Sequence, residues 1–197
     1  MIGLSDLAPL KNYQRNFSFM KKPKVGILTT FANFDPSYSL VSVVRDQLIM
    51  HTMYGYDVVL YTLPHFEGEV PEGVEVRKVV PAVLIEPYKG LGFPENWQED
   101  AKQVQEALEQ TSEDIDVFIA HDWIFIDSYL PYNIGLRDAQ LNARIFYWIH
   151  SAPSPRPELK DNPHANRYVM PPKGTLVYLN NDQTIALAEM YATMPNR

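Results

Sequence analysis

Six short runs rich in β-branched or aromatic residues are spaced along the chain: Lys24 to Thr30, Asp57 to Thr62, Val74 to Val80, Ile115 to Ala120, Ala143 to Ile149 and Gly174 to Leu179. Such runs predict strands. Where polar alternation is missing, as in Lys24 to Thr30, they predict burial on both faces. Between them the period changes. From Ser39 to about Tyr54, Val41, Val44 and Leu48 recur at offsets of three and four, which predicts a helix with Gly55 as its stop. Trp97, Ala101, Val104 and Leu108 mark one face of a second helix, with acidic and amide residues on the other. Pro94 is expected to open that helix, where a missing N–H costs nothing. Residues 124–140 are expected to be partly helical and interrupted by Pro131, and a closing helix should run from Asp182 to about Thr193. Asp35-Pro36-Ser37 reads as a turn. Residues 81–93 read as a loop. So do residues 151–173, which hold six prolines and no clear period; loops of that length are often functional or mobile. Strands alternating with helices predict an α/β fold, a parallel sheet of about six strands with helices on both faces and right-handed crossovers.

Polar residues collect just past the predicted strand ends. Thr29, Thr30 and Phe31 follow the first run, His121 and Asp122 the fourth, His150 and Ser151 the fifth, and Asn180 and Asn181 the sixth. In an open parallel sheet the carboxyl edge is where the loops leave a crevice for ligands. Thr30, Asp122, His150 and Asn180 are therefore expected to converge on one edge.

Composition narrows the partners. A hydrophobic content of 46% over 197 residues suffices for a substantial core in one domain, with or without an extension. The formal net charge of -7 argues against a broad basic surface and so against nucleic acid as a partner. There is no cysteine, which excludes disulfides and thiolate metal sites and fits a reducing compartment. The first twenty residues lack the apolar core of a signal peptide, and no run reaches the length of a membrane span. A soluble cytoplasmic protein without a membrane span is expected.

The sharpest local feature is His121-Asp122-Trp123. An imidazole and a carboxylate side by side could bind sugar hydroxyls or move protons. The simpler reading makes Asp122 a cap on the next helix and His121 a satisfied, partly buried side chain. His150 ends the most apolar strand and can donate or accept a hydrogen bond near neutral pH. The loop from Thr30 to Ser39 leads into a helix N-terminus, a place that suits a phosphate, but it contains no glycine, and neither GxGxxG nor a P-loop is present. Arg156, Lys160, Arg167 and Lys173 could hold a phosphate or an acidic acceptor, although a scattered solvated set is the commoner meaning of such charges. His121, His150, His164 and Asp122 have the atom types of a metal set, yet no HxxxH or HxH spacing occurs, so no metal is expected. No GxSxG elbow supports a serine nucleophile.

The ordered set of segments resembles a known family. Lys24-Val25-Gly26-Ile27-Leu28-Thr29-Thr30, the helix that follows, and Gly55-Tyr56-Asp57-Val58-Val59-Leu60-Tyr61-Thr62 resemble the opening of GT-B glycosyltransferases of the glycogen-synthase and sucrose-synthase-like superfamily. Asp116 to Trp123, Ala143 to Ser151 and Gly174 to Ala188 resemble later segments of the same family, in the same order, so that the likeness covers roughly residues 24 to 190. The resemblance implies an N-terminal extension over 1–22 and a Rossmann-like, acceptor-side domain over 23–197, with the donor-binding C-terminal domain absent. It implies His150 and Asp122 as catalytic residues, His150 approaching the donor sugar and Asp122 near the acceptor. It implies Thr30, Phe31, Ser37, Ser39, His121, Ser151 and Asn180 as substrate-binding residues. The cosubstrate would be a nucleotide-sugar donor, with no other cofactor, and the acceptor a carbohydrate or another molecule. Pro36-Ser37-Tyr38-Ser39 stands where the family commonly has a glycine pair.

Half a cleft cannot orient donor and acceptor. A second domain or chain completing the cleft is therefore expected, or self-association, with Phe31, Phe34, Tyr38 and Trp123 as exposed aromatics on the docking face. The alternatives are a non-catalytic binding or assembly subunit that retains the fold, or an unrelated small-ligand α/β protein.

Overall fold

The computed structural model describes residues 22–150, 159–178, 182, 184–186 and 188–189. Strands β1 (Lys24–Leu28), β2 (Asp57–Tyr61), β3 (Val74–Arg77), β4 (Val117–His121), β5 (Arg144–Ile149) and β6 (Thr175–Tyr178) form one six-stranded sheet in the order β3-β2-β1-β4-β5-β6. Every pairing is parallel. The chain steps outward from β1 to β3 and then crosses to β4 on the other side of β1. The strand order therefore reverses between β1 and β4, where sheets of this Rossmann-like kind open a crevice. Register aligns the carboxyl ends. Leu28 lies opposite Tyr61 and Ala120, Ala120 opposite Tyr147, and His121 opposite Trp148.

Successive strand residues point to opposite faces, and the core divides accordingly. Val25, Ile27, Val58, Leu60 and Ile119 face helix α1 (Ser39–Met53), which buries Leu40, Val41, Val44 and Leu48 against them. Leu28, Val59, Tyr61, Phe118, Ala120, Ile145 and Tyr147 face the other way. There they meet Val104 and Leu108 of α2 (Trp97–Thr111) and Tyr132 and Leu136 of α3 (Leu130–Asp138). Gly55 follows α1 with φ 73°, the left-handed conformation that ends helices at glycine. Gly135 allows α2 and α3 to touch: a Cβ there would lie 2.6 Å from the Ala101 carbonyl oxygen and 2.7 Å from Val104 Cβ.

Ion pairs tie the β3 edge to the chain entering β4. The Arg77 guanidinium donates to both Asp114 carboxylate oxygens (2.8 and 2.7 Å), and Lys24 Nζ donates to Asp114 and Glu75 (2.7 and 2.8 Å). These bonds hold the Asp114 carboxyl well below the usual carboxylate range.

Several boundaries differ from the sequence reading. Pro94 sits in a turn that precedes α2, and the helix starts at Trp97. Pro131 lies in the first turn of α3, where its missing N–H is one the helix could not have used, so it helps to open a helix instead of interrupting one. The loop at 81–93 contains a 3-10 helix, Glu86–Leu91, that buries Tyr88. Residues 159–173 include a 3-10 helix, Pro163–Tyr168, whose His164, Ala165, Arg167 and Tyr168 are buried. Three apolar anchors, Leu159, Ala165 and Tyr168, pack that segment on the α2/α3 side of the core, which is why it is a docked strap and not a solvated loop. Arg167 is 3% exposed and donates to the Phe125 carbonyl, so it does not belong to a solvated charge set. Arg156 lies outside the described residues. Residues 182, 184–186 and 188–189 are helical. Among the described residues no helix is long and apolar enough to cross a membrane.

Candidate functional site

The last residue of β4 is His121, one position later than the run of apolar residues suggests. That shift puts its ring in the sheet's protected edge, 1% exposed. Burial pushes its imidazole down to about 3, with the neighbouring His150 acting in the same direction. His121 is therefore neutral at physiological pH. Both of its ring nitrogens are engaged: Nε2 lies 2.9 Å from Gln47 Oε1 on α1, and Nδ1 lies 3.1 Å from Nε2 of His150. The two rings are inclined by 23° with centroids 5.4 Å apart. That separation is too long for face-to-face overlap and fits an edge-on contact through the two nitrogens.

Asp122 turns the chain out of β4 with φ 56°. A left-handed aspartate is tolerated more readily than most residues, and such strain concentrates at functional sites. Two bonds repay it. The Asp122 N–H donates to the Trp148 carbonyl (3.1 Å), and its Oδ1 accepts the backbone N–H of His150 (3.0 Å). Asp122 thus joins the end of β4 to the end of β5. It does not cap a helix, since α3 begins only at Leu130. Burial raises its carboxyl above the ordinary range, opposed by the His150 N–H.

Across the crevice, Thr30 Oγ1 donates to the Tyr129 hydroxyl at 2.9 Å. Tyr38 leans over the same space. Burial pushes its phenol up to about 12, and Tyr129 and Asp122 add to that rise. The loop between β1 and α1 is held by aromatic packing in place of glycine backbone: Phe31 meets Phe34 and Tyr38 edge-on, and Phe34 meets Phe66. Arg45 sits 5.4 Å above the Phe34 ring.

Of the residues named from sequence, Thr30, His121, Asp122 and His150 come together on the carboxyl edge. Phe31 is beneath the loop and 6% exposed, and Trp123 is 1% exposed against Tyr132, so neither is the exposed aromatic that a docking face would need. Tyr38 is 40% exposed. Ser37 is committed to its own turn, its N–H and Oγ both donating to Asp35 Oδ1 (2.8 and 2.7 Å). Ser39 is exposed at the start of α1. Ser151 and Asn180 lie outside the described residues. His164 is not at this edge cluster. Its Nε2 donates to the Gly92 carbonyl at 2.7 Å. Among the described residues no three His, Asp or Glu side chains gather in a way that could hold a metal ion.

Gln47 and Tyr129 belong to the site and were not read from sequence. Gln47 had a signal, being a polar residue on the same stripe of α1 as Val44 and Leu48 and 6% exposed. Tyr129 had none. The groups that meet here are hydroxyls, two imidazoles, an amide and one carboxylate. Such a set hydrogen-bonds hydroxyl-bearing ligands and can move a proton. No protein-family model matches this sequence, and no curated protein matches it either.

Proposed function

We propose that this chain is the acceptor-side domain of a sugar-nucleotide-dependent glycosyltransferase, moving a hexosyl group from a nucleotide sugar to a carbohydrate or other hydroxyl acceptor. The observation that carries the reading is the junction of Asp122 and His150, bonded to one another and backed by neutral, buried His121, beside the point where strand order reverses. In this reading the acceptor hydroxyl attacks the anomeric carbon, the bond from that carbon to the nucleotide's phosphate oxygen breaks, and the nucleoside diphosphate leaves. The hydroxyl proton passes to Asp122. A carboxyl raised by burial accepts a proton more readily than a solvated one. His150 hydrogen-bonds the donor sugar. A donor-binding half, on a further domain or a partner chain, closes over the edge and supplies the orientation on which rate depends.

A non-catalytic binding subunit is the second reading. It draws on the β1–α1 loop, which has no glycine and spends Ser37 on Asp35. The test is a titration of the ¹⁵N-labelled chain with UDP-glucose, GDP-mannose and oligosaccharides of varied linkage, followed at the imidazole and backbone nitrogens. Sugars should shift Thr30, Asp122 and His150 together, and His150→Ala should weaken that binding. If no sugar or nucleotide sugar in the panel perturbs this edge, the glycosyltransferase reading fails. Binding without transfer when a donor-binding half is supplied selects the second reading.

A further inference from the structure

Helix α1 buries an amide where its neighbours bury hydrocarbon. Leu40, Val41, Val44 and Leu48 pack on the sheet, and Gln47, on the same stripe, is as hidden as they are. A buried amide is retained where it has a partner, and the partner here among the described residues is Nε2 of His121. We propose that Gln47 is a positioning residue: it fixes the order of protons through the His121–His150 pair, so that the outer imidazole presents Nδ1 to the crevice as a bare acceptor.

The order follows atom by atom. Gln47 turns its amide oxygen to His121, and an amide oxygen only accepts. His121 Nε2 must therefore carry the hydrogen. His121 is too buried to take a second proton, so its Nδ1 keeps a lone pair and accepts. The donor across the 3.1 Å contact is then the Nε2–H of His150. A neutral His150 with hydrogen on Nε2 has a lone pair on Nδ1, and that nitrogen makes no hydrogen bond among the described residues. Reversing the amide would reverse every step and leave an N–H pointing outward. The side chain of Gln47, two residues removed from the crevice, therefore decides whether the site offers a donor or an acceptor there. Supporting groups of this kind hold a functional constellation in its working geometry. The use of the bare nitrogen to receive a ligand hydroxyl rests on the glycosyltransferase reading; the proton order does not.

The experiment needs no ligand. Long-range ¹H–¹⁵N spectra of the imidazoles in the intact chain report which ring nitrogens carry hydrogen. At a pH where both rings are uncharged, the expected pattern is hydrogen on Nε2 and a bare Nδ1 in both His121 and His150. Gln47→Leu should lose it, with the two forms of His150 mixing. Gln47→Glu also presents only acceptor oxygens, so it should keep the order while moving the titration of His121 upward, because a buried carboxylate favours the imidazolium. A purely packing role would leave the ring nitrogens unmoved in both variants. Hydrogen on Nδ1 of His121 in the native chain, or a Gln47→Leu variant with the native pattern, overturns the proposal. Should Gln47→Leu fail to fold, Gln47→Met replaces it, and the native spectrum decides the order by itself. Sugar binding that failed while this pattern held would count against the glycosyltransferase reading alone.

Discussion

Acid should unfold this protein through His121. Its imidazole is held at about 3 in the fold against an ordinary value of 6.5, because burial excludes the charged form. The folded value lies below the unfolded one, so the unfolded chain binds a proton that the folded chain refuses. The resulting loss of stability begins as pH falls through 6.5 and levels off only near 3. Each pH unit in that window costs about 1.4 kcal/mol, so descending from pH 7 to pH 5 removes about 2 kcal/mol from this residue alone. That is a large part of a typical total of roughly 5–15 kcal/mol. His51 and His164 are also lowered by burial and add to the loss, while Asp122, raised by burial, opposes it. Asp114 and Glu75 have lowered carboxyls, whose contribution is lost only as pH falls below their ordinary values of 3.8 and 4.5, beneath the range from pH 7 to pH 5. The assay is urea unfolding at pH 7, 6 and 5 for the native chain and for His121→Phe, which cannot titrate. The variant starts less stable, since Gln47 loses its partner. Its pH profile should nonetheless be flatter by about 2 kcal/mol over the two units. Parallel profiles would show that His121 takes up its proton inside the fold and would refute the argument.

Other expectations follow from single contacts. Asp122→Val puts a β-branched residue at φ 56° and removes the acceptor for the His150 N–H, so it should cost about 2 kcal/mol or more in thermal or urea unfolding, whereas Asp122→Asn, which tolerates the same conformation, should cost clearly less. Gly135→Ala pushes a methyl against the Ala101 carbonyl and Val104, and overpacking of about 1–3 kcal/mol should outweigh the roughly 1 kcal/mol gained in helix propensity; an unchanged or raised melting temperature would mean that α2 and α3 separate freely. On the proposed glycosyltransferase function, His150→Ala in a chain assembled with a donor-binding half should lower kcat about a hundredfold while costing the fold only the single side-chain contact to His121, because the residue stands past the strand's apolar body. Normal turnover, or simple unfolding, would return His150 to a structural role.

The parallel sheet and the polar residues at its carboxyl edge were readable because both depend on local pattern. β-branched runs mark strands, and strand alternation assigns Val58 and Leu60 to one core and Val59 and Tyr61 to the other. The helix from Ser39 was bounded within a residue, since period and Gly55 agree. Proline misled twice. Pro94 and Pro131 carry the same signal, a residue suited to a first turn, and only the path of the chain separates a turn before a helix from the helix itself. The strap from 159 to 168 was illegible for another reason. Its buried positions His164, Ala165, Arg167 and Tyr168 do stand at helical offsets, but the helical run is only six residues long and begins at a proline, and the partners that bury it, such as Gly92 and Phe125, are distant in sequence.

Gln47 marks the boundary between what a sequence carries openly and what it carries only as an anomaly. A glutamine on an apolar stripe contradicts the amphipathic pattern around it, and such contradictions cluster where a fold gives up local consistency for a site. The pattern can say that the residue is misplaced. It cannot name His121, 74 positions away, as the cause. The same logic explains a strand-to-helix loop without glycine. A glycine-rich loop brings backbone to a ligand. The aromatic contacts of Phe31, Phe34 and Tyr38 instead fix this loop by its side chains and leave the hydroxyls of Thr30, Tyr38 and Tyr129 as the groups that face the crevice. With a carboxylate already buried opposite them at Asp122, the site favours a neutral, hydroxyl-rich ligand over an anion. On the proposed glycosyltransferase function, the phosphate of a donor would be held by the donor-binding half and not at this edge.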